Sequence, residues 1–114
     1  MKDDRIYLSH IRDSIDLIFY YSVEGEKVFR GDKKTQDAVI RNFEIIGEAS
    51  KRLSDGIKSA HPNIPWKSIA GMLDKLIHDY FGVNLDIVWD TITGFLPTLR
   101  TQVIEILKET DTLT

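Results

Sequence analysis

Apolar residues recur at steps of three and four along nearly the whole chain, the spacing of amphipathic helices. Leu8, Ile11, Ile15, Ile18 and Phe19 form the first stripe, with Asp3 or Asp4 placed to cap its start and Glu24-Gly25 marking its end. Residues 25 to 33 hold two glycines and several charges and read as a loop. Thr35 is placed to cap a second helix, whose buried face is Val39, Phe43, Ile46, Ser50 and Leu53. Asp55-Gly56 reads as its stop, with Gly56 suited to a left-handed cap. Two prolines then force a loop over His61–Pro65, and Pro65 suits the first turn of a third helix. That helix carries Ile69, Met72, Leu73, Leu76, Ile77 and Tyr80 on one side. Phe81–Asn84 interrupts it, and Asn84 can cap a last run through Leu85, Val88, Trp89, Ile92, Leu96, Leu99, Val103 and Ile106. Pro97 has no N–H to give to Thr93, so a kink or break is expected there.

No segment alternates with period two long enough to build a sheet. The expected fold is all-α: an antiparallel bundle of four to five helices in a single domain, 1–114, with Thr110–Thr114 frayed. The length of 114 residues allows one small domain with a thin core, and several stripes are wider than such a bundle needs. The surplus predicts a dimer seam. Cysteine is absent, which excludes disulfides and thiolate chemistry and fits a reducing cytoplasm. No apolar run is long enough to span a membrane, and Met1–Arg5 is too polar for a signal peptide. A cytoplasmic protein is expected.

The formal net charge of −3 excludes a generally basic nucleic-acid binder, but its distribution is uneven. Residues 27 to 58 hold eight Lys and Arg against five Asp and Glu, a net +3, which leaves −6 on the rest. A local phosphate-binding surface is one reading of this segment; a solvated helix face of mixed charges is the other, and composition alone favours it.

The chemistry available is narrow. His10, His61 and His78 are far apart and show no paired metal-ligand spacing, and no phosphate loop, dinucleotide fingerprint or nucleophile elbow is present. No metal or cofactor is expected. What remains is His78 with Tyr80, in Lys75-Leu76-Ile77-His78-Asp79-Tyr80. Histidine titrates near neutral pH and can take or give a proton while a ribose 2′-hydroxyl attacks the adjacent phosphate, a reaction that needs no metal. Tyr80 can bond a phosphate or stack on a base. The same residues also suit plainer roles: His78 capping a helix C-terminus, and Tyr80 a core ring with a wet hydroxyl.

Several ordered blocks are more specific than that pair. Arg41–Ala49, Ile64-Pro65-Trp66, Gly71-Met72 with Lys75–Val83, and Asp86–Trp89 closely resemble the HepT-like family. This family is the toxin half of the HepT–MntA type toxin–antitoxin modules, within the HEPN superfamily. The resemblance runs from the first helix to about Leu107. It implies a helical bundle that dimerises, with a metal-independent ribonuclease site in the cleft between two copies. The family signature is an arginine, four to six residues, then His-x-Tyr; His78 and Tyr80 match the last two. It further implies an MntA-type nucleotidyltransferase antitoxin that transfers AMP from ATP to the motif tyrosine, here Tyr80. The added anionic groups would fill the cleft and repel RNA.

One position departs from the signature. The arginine should precede His78 by five residues, and Leu73 stands there. Leucine has neither charge nor donor, and losing such a group typically costs about 2.7–4 kcal/mol of transition-state stabilisation, or 10²–10³ in rate. The chain is therefore expected to be a weakened or inactive nuclease, with a non-catalytic dimeric module that engages the nucleotidyltransferase as the alternative. Leu73 also continues the apolar stripe, and lies about 140° around the helix from His78. An arginine there would meet its own histidine poorly, so a site shared between two copies is preferred. Two auxiliary cations come into question. Lys75 lies about 60° from His78. Arg41 lies on the second helix, where Glu44 or Glu48 is a ready partner.

Overall fold

A computed structural model describes residues 2–78 and 82–112 of the chain. Among the described residues seven α-helices follow in order: α1 (Lys2–Tyr21), α2 (Glu26–Gly31), α3 (Lys33–Arg52), α4 (Asp55–Ala60), α5 (Trp66–His78), α6 (Leu85–Asp90) and α7 (Leu96–Thr112). A π-helical turn, Thr91–Phe95, joins α6 to α7. No strand occurs among the described residues, and none of their helices is long and apolar enough to cross a membrane. The fold is all-α, as the periodicity predicts.

The stripes become the core. Leu8, Ile11, Ile15 and Ile18 of α1, Val39, Phe43 and Ile46 of α3, Ile69 and Leu73 of α5, and Leu99 and Val103 of α7 are all buried. Each such side chain contributes about 1.5–3 kcal/mol on leaving water. α3 packs between α1 and α5, and α7 lies against α1. Long-range bonds set helix directions. The Asp4 carboxylate at the start of α1 accepts from Ser54 N (2.8 Å) and Ser54 Oγ (2.6 Å) just past the end of α3. Arg5 donates to Thr110 Oγ1 near the end of α7 (2.9 Å), and Arg100 near its start donates to Asp16 (2.6 Å). α1 is therefore antiparallel to both α3 and α7.

Four local expectations are corrected. Residues 25 to 33 contain the short helix α2, because Phe29 is fully buried and tilts against Trp89 at 5.4 Å between ring centroids. Gln36 Nε2 donates to the carbonyls of Phe29 and Arg30 at 3.0 Å each, satisfying the end of α2. The N-cap of α3 is Asp32, whose carboxylate accepts from Lys34 N at 3.2 Å; the Thr35 hydroxyl donates to the same carboxylate at 2.7 Å. Gly56 lies inside α4, and only Gly25 and Gly82 have positive φ among the described residues. Ser54 opens that helix by accepting from Ile57 N, so the chain turns at Leu53 and Ser54. Pro65 stands one place before the first residue of α5, with its carbonyl accepting from Ile69 N at 2.9 Å.

Two expectations hold. The Asn84 side chain accepts from Asp86 N (3.0 Å) and Ile87 N (3.2 Å) and caps α6. The discontinuity expected near Pro97 takes the form of the π-helical turn, closed by Leu96 N donating to Thr91 O. Wider winding just before a proline eases its clash with the preceding turn.

Candidate functional site on helix α5

α5 divides by chemistry. Ile69, Leu73 and Leu76 face inward and are buried. A methyl group added at Gly47 of α3 would lie 3.5 Å from Leu73 Cβ, so the two helices approach closely there. The opposite face carries Lys67, Gly71, Lys75 and His78, all exposed. An exposed histidine is able to exchange a proton with a molecule outside the chain.

His78 Nδ1 lies 2.8 Å from the carbonyl oxygen of Asp74, one turn back. A carbonyl can only accept, so Nδ1 carries the proton. In the neutral imidazole Nε2 then keeps its lone pair, the form that can accept a proton from a hydroxyl. The imidazole thus also serves the plainer role of capping α5, and the capping bond fixes its tautomer.

Leu73 is only 1% exposed and lies deep in the core, on the far side of α5 from His78. The position that the resemblance assigns to the arginine is a core position in this chain. Tyr80 falls outside the described residues. Lys75 is exposed on the His78 side of α5. Arg41 pairs with Glu44 at 3.3 Å and lines a separate groove of about 300 Å³ between α1 and α3, with Tyr7, His10 and Arg52. Three more of the eight cations of the basic stretch are engaged in the same way: Arg30 with Glu26 and Asp86, Lys33 with Asp37, and Lys51 with Asp74. This is the mixed, solvated surface that composition favours.

Sequence reasoning missed the Lys51 contact. Lys51 Nζ reaches across from α3 to both carboxylate oxygens of Asp74, at 2.9 and 2.7 Å, and lies 3.5 Å from Glu48. The bond to Asp74 raises the lysine pKa above its ordinary value. The Glu48–Lys51 spacing is legible in the sequence; the contact with Asp74 depends on how α3 and α5 pack.

Beside α5 lies a second groove of about 310 Å³, bounded by Ser68, Ile69 and Met72 on one side and by Ile87, Asp90, Thr91, Gly94 and Phe95 on the other. Among the described residues no three His, Asp or Glu side chains come together as a metal site.

The described residues thus form an all-helical bundle with an exposed histidine at the end of a lysine-bearing helix. In comparison with known proteins, the Ribonuclease HepT-like family profile matches residues 11–106, and the chain belongs to this family. Relatives include a protein of Thermococcus cleftensis named "Probable ribonuclease HepT". It is 48% identical over 95 residues, covering 82% of this chain and 86% of that protein. The Caldanaerobacter subterraneus protein named "Putative RNase TTE0752" is 45% identical over 111 residues, covering 96% and 98%. A Methanocaldococcus jannaschii protein named "Gamma-glutamylcyclotransferase and putative RNase MJ0434" is 44% identical over 111 residues; the chain spans half of its length. No solved structure matches the chain significantly.

Proposed function

We propose that the chain is the toxin of a HepT–MntA type toxin–antitoxin module, a metal-independent endoribonuclease whose site forms in the cleft between two copies in the cytoplasm. The observation that carries this reading is His78, exposed and with Nε2 free for proton transfer. In the proposed reaction Nε2 takes the proton of a ribose 2′-hydroxyl. The oxygen attacks the adjacent phosphorus, a 2′,3′-cyclic phosphate forms, and the 5′-oxygen leaves as a hydroxyl with the proton that the imidazolium gives back. Tyr80 contacts the RNA. It is also the residue that the nucleotidyltransferase antitoxin modifies: its phenol oxygen attacks the α-phosphorus of ATP, and pyrophosphate leaves.

Leu73 lowers this activity, because no guanidinium stands at that position to stabilise the phosphorane. The burial of Leu73 favours a second reading, in which the chain is a dimeric binding module that keeps only partner engagement and AMP acceptance. Incubation of the purified chain with single-stranded RNA separates the two. The nuclease reading expects slow cleavage to cyclic-phosphate ends that His78→Ala abolishes, and it fails if His78→Ala and the unaltered chain give the same products. Co-expression with the antitoxin should add mass to the Tyr80 peptide in multiples of AMP; an unmodified peptide would remove the partner from the proposal.

A further inference from the structure

Resting on the reading of the chain as an RNA-cleaving protein, we infer that the solvent face of α5 and the groove beside it form a track for single-stranded RNA. Lys67 and Lys75 hold its phosphates, and the groove between α5 and the π-helical turn takes one splayed base. The strand is thereby led to His78.

The face has the geometry of a track. At 100° per residue, Lys67, Gly71, Lys75 and His78 fall within about 80° of one another, and the span from Lys67 to His78 is about 16 Å. That length matches about five nucleotides stacked at 3.4 Å each. Gly71 lies between the lysines, exposed, with nothing within 4 Å of where a Cβ would stand, so the helix backbone there is open to a strand.

Charge and position together mark the face. Lys67 and Lys75 share one face of α5, and their side chains have no hydrogen-bonded or ionic partner among the described residues. Lys27 and Lys34, their side chains likewise unpartnered, stand on α2 and α3, and Arg30, Lys33, Arg41 and Arg100 are each paired with a carboxylate. Asp74 is the only carboxylate of α5, and Lys51 cancels its charge from α3. The helix face thus keeps two cations, and its own carboxylate is offset.

The groove suits a base better than a phosphate. Its walls include Met72, Ile87 and Phe95, and its volume of about 310 Å³ lies at the lower end of small-ligand sites. Asp90 on its lining would repel a phosphate but can accept from an exocyclic amino group. A Cβ at Gly94 would meet nothing within 4 Å, which leaves that side of the groove clear. Such a site rewards a base already out of its stack, which selects single strands over duplex.

Binding of a 5′-labelled twelve-nucleotide single-stranded RNA, followed by fluorescence anisotropy in the His78→Ala chain so that the strand stays intact, tests the track. Lys67→Gln with Lys75→Gln should weaken binding about tenfold and lower the salt slope by about 1.4, two phosphates at roughly 0.7 each. Lys27→Gln with Lys34→Gln, the same charge change at two exposed lysines of α2 and α3, should leave both values within about twofold. Gly94→Leu, which fills the groove, should weaken binding with the salt slope unchanged. Helix content by circular dichroism verifies that each variant is folded. Equal losses from the two lysine pairs would overturn the track, since net charge would then suffice. So would a Gly94→Leu protein that binds RNA normally but changes its mass in light scattering, because the groove would then be a contact with a second copy. The two readings fail separately. His78-dependent cleavage with binding indifferent to Lys67 and Lys75 removes the track alone. The expected binding pattern without any cleavage removes the nuclease and supports the track.

Discussion

Leu73 and His78 lie five residues apart on α5 and occupy opposite environments, one sealed in the core and one in water. Leu73→Ala should cost about 2–5 kcal/mol, the range for a buried leucine truncated to a methyl, read as a lowered midpoint in urea. Leu73→Arg should also destabilise the fold, because the guanidinium must leave the core or strand its charge there. If the folded fraction gains cleavage by 10²–10³, stability and activity move in opposite directions at one residue. Loss of stability with no gain in cleavage would show that leucine serves packing alone. Asp4 is the other telling residue. It is buried, and its two oxygens hold the Ser54 amide and hydroxyl. Asp4→Ala should cost about 1–3 kcal/mol by leaving those donors without a partner, and an unchanged denaturation midpoint would refute the role.

At the scale of elements, legibility followed periodicity. The four long stripes became α1, α3, α5 and the α6–α7 run because each buries a helical face wide enough to be read without a partner. α2 escaped because six residues that follow one glycine and end on another do not make a stable helix alone. Phe29 packing on Trp89, Gln36 closing its last carbonyls and Arg30 pairing with Asp86 supply what its sequence lacks. Gly25 starts it with φ 96° and ψ 177°, a backbone region essentially reserved for glycine. Gly25→Ala should therefore destabilise the chain by about 1–3 kcal/mol, measured by thermal melting. No change would mean that the α1–α2 turn relaxes freely. The caps divided by the same logic: Asn84 is local and was legible, whereas the Asp4–Ser54 bond joins residues fifty positions apart.

The whole molecule measures 45 × 25 × 20 Å and leaves apolar side chains in water. Leu17, Tyr20, Tyr21 and Val23 are exposed around the end of α1, Tyr20 at 71% and Val23 at 76%. Their exposure supports the proposed dimer, for a thin bundle gains by sharing such a face. Light scattering at micromolar concentration should give twice the 13.1 kDa of the chain. Tyr20→Glu with Val23→Glu should shift that mass toward the monomer. A 13.1 kDa particle from the unaltered chain at all concentrations would end the shared-cleft site.

The sequence by itself determined the helical class, the core stripes, the proline-forced loop and the candidate histidine, since each depends on spacing along one strand of chain and on the fixed 3.6-residue turn. Only the tertiary structure decided which face of α5 meets water, that Leu73 rests near Gly47, and that Lys51 neutralises Asp74. Those facts depend on the register between helices, which is set by the fit of side chains from distant segments.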